Sequence, residues 1–257
     1  YYKNKVLEID PTVVNPTAKE IGDNLENPDG GAKYQKAVLA NNGKIYAIPS
    51  NMNRVLEIDP TVDDPIIREI GDDLGSVQGE YQDAVLANNG KIYAMPYLES
   101  YVLEIDPTVD NPKVRKMGNV YEQLDIINSF LGNDGKIYSI SYTPTSSKIY
   151  VFTPPRPVSS LSDLEITPFE QVSSLSDPEI TPLTELSYSY RYIIKMNTGN
   201  KTYAISDNPN SNYVLEIDST KSTNPTTERE FSYDFGEMSS WSFKYLTAVL
   251  ANNGKIY

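Results

Sequence analysis

The chain has 257 residues, no cysteine, no histidine and a net charge of −13 from 22 basic and 35 acidic side chains. Disulfides, thiolate chemistry, imidazole metal sites and the Ser-His-Asp triad are thereby excluded. The negative balance disfavours a nucleic-acid backbone or an anionic membrane as partner. A hydrophobic content of 39% over this length suits one closed domain spanning 1–257, and no apolar run approaches a membrane span.

The phrase Ala-Val-Leu-Ala-Asn-Asn-Gly-Lys-Ile-Tyr stands at 37–46, 84–93 and 248–257, and Val-Leu-Glu-Ile-Asp at 6–10, 55–59, 102–106 and 214–218. A period of about 47 residues built of short strands is a β-propeller signature. Along the first full unit, Tyr34 to Asn41 leads into Asn42-Gly43, which predicts a tight hairpin with positive φ at both turn residues. Lys44 to Ile48 forms the second strand, stopped by Pro49. Val55 to Asp59 forms the third, and a fourth lies near Arg68 to Ile70. First strands recur near 34–41, 81–88, 126–133, 190–197 and 245–252, and second and third strands recur equally often. The expectation is an all-β, five-bladed β-propeller of four-stranded blades, its ring closed by pairing of the carboxy-terminal segment with residues 6–22, so that no sheet edge stays free.

Pairing the second and third strands places Tyr46 opposite Glu57 and Lys44 opposite Asp59, with Ile45, Ala47, Leu56 and Ile58 on the other face. Tyr93, Glu104, Lys91 and Asp106 repeat the device. Such repetition reads as a structural polar pair, because a catalytic site is asymmetric. Carboxylates for glycoside hydrolysis would have to come from Asp23, Asp72, Asp73, Glu80 or Asp83, none of which lies in a motif.

The strand order, a small apolar strand, a tight turn, Gly-Lys-Ile-Tyr and then Val-Leu-Glu-Ile-Asp-Pro, resembles the kelch family of propeller repeats. Ile48-Pro49, Met95-Pro96 and Ile140-Ser141 stand where that family carries Gly-Gly, and its fourth-strand Trp is missing. The resemblance implies that the Ala-Val-Leu-Ala strands line the axis and that the molecule serves protein interaction.

The loops from second to third strand and from each fourth strand to the next blade emerge on one side. There the sequence places Tyr34, Asn51, Arg54, Tyr81, Tyr97, Tyr101, Tyr142, Tyr213, Trp241 and Tyr245, aromatic area beside polar groups that suits recognition. These are the candidate ligand-binding residues, for a protein or glycan partner. The expectation is a non-catalytic binding module with no cofactor, no metal, no nucleic-acid partner and no membrane insertion, in an extracellular or cell-surface setting. The alternatives are a lectin with repeated weak sites, a structural subunit of an extracellular assembly, and a glycoside hydrolase with an axial carboxylate pair. The third blade carries a Pro/Ser-rich insertion at about 154–186, with a tandem duplication at 158–168 and 172–182, one copy of which is expected to supply a fourth strand.

Overall fold

The computed structural model describes residues 4–26, 31–75, 80–118, 123–142, 147–155, 180–187, 190–195, 201–206, 213–221 and 225–230. Those residues are all-β, with no helix among them. Strands β1 (Val6–Asp10) and β2 (Thr17–Ile21) form a two-stranded sheet. Four antiparallel four-stranded sheets follow in chain order. Blade 1 is β3 (Tyr34–Leu39), β4 (Ile45–Pro49), β5 (Val55–Asp59) and β6 (Ile66–Ile70). Blade 2 repeats it as β7 (Tyr81–Leu86), β8 (Ile92–Pro96), β9 (Val102–Asp106) and β10 (Lys113–Met117). Blade 3 is β11 (Ile126–Leu131), β12 (Ile137–Ser141), β13 (Lys148–Phe152) and β14 (Ile180–Glu185). Blade 4 is β15 (Tyr190–Lys195), β16 (Lys201–Ser206), β17 (Tyr213–Asp218) and β18 (Thr226–Glu230).

The strands at the Asn-Gly hairpins pair as the dipeptide requires, but the turn is of another type. Only the glycines Gly43, Gly90 and Gly135 take positive φ there, near +80°. Gly43 N–H donates to Ala40 O at 3.1 Å and Ala40 N–H to Lys44 O at 2.9 Å. That is the three-residue loop with a closing glycine bulge. Asn42 keeps negative φ because its side chain is committed elsewhere: its oxygen accepts the Lys44 N–H at 3.1 Å while its amide donates to Tyr46 Oη.

Each blade packs one face against the opposite face of the next. Tyr46, Ile48 and Val55 of blade 1 meet Ala84, Ala94, Leu103 and Ile105 of blade 2 in one cluster. Tyr93, Met95 and Val102 meet Ile126, Ile137 and Phe152 in the second, and Phe130, Tyr138 and Ile140 meet Ala204, Leu215 and Ile217 in the third. Burying one such large side chain stabilises by about 1.5–3 kcal/mol. The first strands of successive sheets adjoin, β3 with β7, β7 with β11 and β11 with β15, which puts these strands, the Ala-Val-Leu segments of β3 and β7 among them, together at the inner edge. At the outer edge Gly71, at φ +80°, lets the chain close on Val114 of the next blade, where a Cβ would stand 2.6 Å from the valine Cβ.

In blade 3 the fourth strand begins with Ile180-Thr181-Pro182, the end of the second copy of the duplication. Pro182 is tolerated because β14 is an edge strand and the ladder shifts register beside it. The duplication's other residues lie outside the described residues, as do Trp241, Tyr245 and the segment 245–257 expected to seal the ring.

Candidate functional site

The blade has two chemically different ends. At the Asn-Gly end, Glu57 is 1% exposed and receives Tyr46 Oη at 3.0 Å, Lys44 Nζ at 3.3 Å and Arg68 Nε at 2.8 Å. Lys44 also reaches Asp59 at 3.0 Å. Blade 2 repeats the arrangement: Glu104 holds Tyr93, Lys91 and Arg115 at 3.1, 3.2 and 2.8 Å. The Tyr–Glu and Lys–Asp pairs are those the sequence placed, whereas the arginine was missed because it enters from the fourth strand. Asn42 and Asn89 then tie blade to blade by donating to Pro107 O and Pro155 O, at 3.1 and 2.8 Å.

Blade 3 gives an independent test of what this cluster is for. Val151 stands opposite Tyr138 where the other blades have glutamate, and the turn residue is Asp134 in place of asparagine. The Tyr138 hydroxyl turns to that aspartate at 2.9 Å. The carboxylate has moved, yet the buried phenol keeps an anionic acceptor, which is the behaviour of a structural hydrogen bond. The ionisation of these groups agrees. Asp59 is lowered to about 2 by the Thr61 hydroxyl first and then by Lys44, and Tyr46 is pushed up to about 12, chiefly by burial.

The opposite end carries the loops. Asn51 donates to Ala32 O at 2.8 Å and Arg54 Nη1 to Gly71 O at 2.8 Å. Both are half-buried, as are Tyr34, Tyr97, Tyr101, Tyr142 and Tyr213. Tyr34 reaches across its blade to Glu69 at 3.5 Å. Tyr97 and Tyr142 are fixed through their backbone N–H groups, to Glu80 O and Asp125 O, each at 3.0 Å. Tyr81 corrects the expectation of an exposed aromatic: it is 0% exposed, with its ring in the cluster between blades 1 and 2. A pattern of alternating residues cannot distinguish two buried faces, and Tyr81 lies on one of them.

Around Tyr81 the loop end of blade 2 gathers ionisable groups. Glu80 and Glu99 are buried, Lys116 Nζ bonds Glu99 Oε2 at 2.5 Å and Leu74 O at 2.9 Å, and the same ammonium lies 5.9 Å from the centre of the Tyr101 ring. Nearer the inner edge, Asp83 receives Lys36 Nζ from blade 1 at 2.9 Å and the Ser129 N–H from blade 3 at 2.7 Å. It therefore bridges three consecutive inner strands. Of the other acids considered for hydrolysis, Asp23, Asp72 and Asp73 are exposed. No group of three or more carboxylates arranged to hold a metal occurs among the described residues.

No protein-family model matches the chain, and no curated protein matches it, so the likeness to kelch repeats rests on the residues quoted for it. Solved structures do match. Virginiamycin B lyase from Staphylococcus aureus is 18% identical with a TM-score of 0.58, over 90% of this chain and 64% of its own, so the chain spans just under two thirds of that protein. A streptogramin B lyase is 13% identical with a TM-score of 0.60, over 99% and 75%. A catalytically inactive variant of the Staphylococcus enzyme with quinupristin is 14% identical with a TM-score of 0.57, over 99% and 76%. At these identities the likeness shows the β-propeller fold alone. It nevertheless overturns the expectation of a non-catalytic module: proteins with this fold include lyases, and lacking histidine and cysteine removes only those catalytic groups while leaving carboxylates, tyrosines and lysines in place.

Proposed function

We propose that the chain is a five-bladed propeller, closed by its carboxy-terminal repeat, that recognises a partner polypeptide through its loop end. One comparison within the chain supports the reading. Between blades 1 and 2, Ala40–Tyr46 is identical to Ala87–Tyr93 and Val55–Asp63 to Val102–Asp110, whereas Ser50–Arg54 shares no residue with Tyr97–Tyr101. Two copies of one unit have kept their turn end and changed their loop end. A rigid scaffold with variable loops at one end is the usual arrangement of a recognition surface. The half-buried Tyr97, Tyr101, Tyr142 and Tyr213, with Asn51 and Arg54 beside them, supply rigid apolar area with polar edges. The fold likeness adds nothing for a glycan, and the partner proposed is a protein.

The test is site-specific photocrosslinking in an extract of the source organism. A crosslinker at Asn51 or Tyr97 should capture one partner repeatedly, and one at Asn41 or Thr61, at the turn end, should not. Equal capture from both ends, or capture from the turn end alone, overturns the proposal.

A further inference from the structure

Asn-Gly stands at 42–43, 89–90 and 253–254, the last pair lying outside the described residues. An asparagine followed by glycine is the amide most prone to lose ammonia, because a residue without Cβ leaves its backbone nitrogen open to the neighbouring side chain. That nitrogen gives up its proton and adds to the asparagine Cγ, the bond from Cγ to Nδ2 breaks, and ammonia leaves carrying the proton. Water then opens the cyclic imide at either carbonyl, giving aspartate or isoaspartate. One water is consumed, one ammonia is released, and nothing is oxidised or reduced.

In the folded blade every group this reaction moves is held. Asn42 is exposed, so water is not what is lacking. Its Nδ2 donates to Tyr46 Oη at 3.0 Å and to Pro107 O of the next blade at 3.1 Å, and its Oδ1 accepts the Lys44 N–H at 3.1 Å. The nucleophile is engaged as well, since Gly43 N–H donates to Ala40 O at 3.1 Å. Asn89 repeats all four bonds: Nδ2 to Tyr93 Oη at 2.9 Å and to Pro155 O at 2.8 Å, Lys91 N–H to Oδ1 at 3.1 Å, and Gly90 N–H to Ala87 O at 3.0 Å. Bringing Cγ onto the glycine nitrogen requires the side chain to turn, which breaks its three bonds, one of them the tie to the following blade.

Blade 3 shows what an acid needs at this station. Asp134 Oδ1 accepts the Lys136 N–H at 3.2 Å and Oδ2 accepts the Tyr138 hydroxyl at 2.9 Å, and Val151 stands where the other blades carry the glutamate. Blade 1 has kept Glu57, which already takes the Tyr46 hydroxyl. An aspartate at 42 would lose the donor to Pro107 O and would offer a second anion to a hydroxyl that has one proton to give.

We infer that Asn42 and Asn89 are deamidation sites gated by the blade interface: closed while each hairpin is tied to the blade after it, open once the tie breaks, and unable to restore the tie after conversion. Separation of two blades thereby leaves a permanent chemical mark. The inference concerns the turn end and does not rest on recognition by the loop end.

Peptide mass mapping of the full chain tests it, after incubation in mildly alkaline buffer, folded and in urea sufficient to unfold it, beside the free peptide Ala-Asn-Asn-Gly-Lys-Ile-Tyr common to both sites. Trypsin separates the sites, because residues 37–44 and 69–91 leave in different fragments. Conversion at Asn42 and Asn89 in the folded chain should be at least about tenfold slower than in the peptide, the factor that one hydrogen bond at the upper end of ordinary strength supplies, and should reach the peptide rate in urea. Tyr46→Phe, which removes one acceptor of the Asn42 amide, should speed conversion at Asn42 several-fold and leave Asn89 at the parent rate. Asn42→Asp should melt below the parent. A folded chain that converts as fast as the peptide, an unfolded chain that stays slow, a folded Tyr46→Phe variant with Asn42 no faster than in the parent, or an unchanged melting temperature for Asn42→Asp each overturns the inference. Should Tyr46→Phe fail to fold, the folded and unfolded parent decide between them.

Discussion

The turn end and the loop end of one blade are made of the same four strands yet follow opposite rules. At the turn end the buried glutamates are answered inside the repeat: Glu57 and Glu104 hold the same three donors with distances agreeing to about 0.1 Å. At the loop end, equivalent positions hold Lys36 and Asp83, Met52 and Glu99, Glu69 and Lys116; Lys36 pairs with Asp83 across the blade boundary, and Glu99 pairs with Lys116 where blade 1 has a methionine and a glutamate. A self-contained network can be copied without change, because each copy brings its own partners. A network shared across blades has to differ between copies, since Lys36 needs an aspartate opposite it and a second lysine there would repel it.

Acid should act on the turn end most, because it reaches every copy at once. Asp10, Asp59, Asp106 and Asp218 all lie below the ordinary carboxylate range, each accepting from the threonine two residues on. A folded pKa below the unfolded one gives stability that is complete above the ordinary value, near 3.8, and is lost as pH falls toward 2. The melting temperature should drop across that window, and Thr61→Val should make the drop smaller by removing the first cause of the Asp59 shift.

Among single substitutions Glu57→Ala should be the most damaging, at about 3 kcal/mol by denaturant unfolding. That is the low end for breaking a buried pair, since Lys44 retains Asp59 and the half-exposed Arg68 reaches water. Gly43→Ala should cost about 1–2 kcal/mol for a side chain at positive φ, with the new Cβ 3.1 Å from Thr61 Cγ2. A double-mutant cycle of Glu57→Val with Asn42→Asp rebuilds the solution of blade 3 in blade 1. It should show favourable coupling of about 1 kcal/mol, as the Tyr46 hydroxyl regains a carboxylate. Absence of coupling would mean that Asp134 does not replace the lost glutamate. At the loop end, Asn53→Ala removes only an exposed bond to Asp73 of 2.9 Å and should change stability by less than about 0.5 kcal/mol.

Much of the fold was legible because its signals are local. Asn42-Gly43 announced a hairpin, Pro49 and Asp59-Pro60 bounded strands, and the Tyr46–Glu57 register followed from a period of two. The turn type was misread since the Asn42 side chain is recruited by Pro107 of the next blade, a residue distant in sequence. Arg68 was missed for a similar reason: the fourth strand has no repeated phrase to mark its register. Tyr81 was placed on the surface although it lies within a blade interface.

Strands, their order and their pairing within a blade can be read from residue order alone, because they depend on near neighbours, on alternation and on turn chemistry. How the blades address one another, which tyrosine is buried and which acid meets which lysine come from packing between blades. A propeller buries both faces of every sheet, so alternation loses the contrast of inside with outside, and the choice of face passes to contacts between residues some forty or more positions apart.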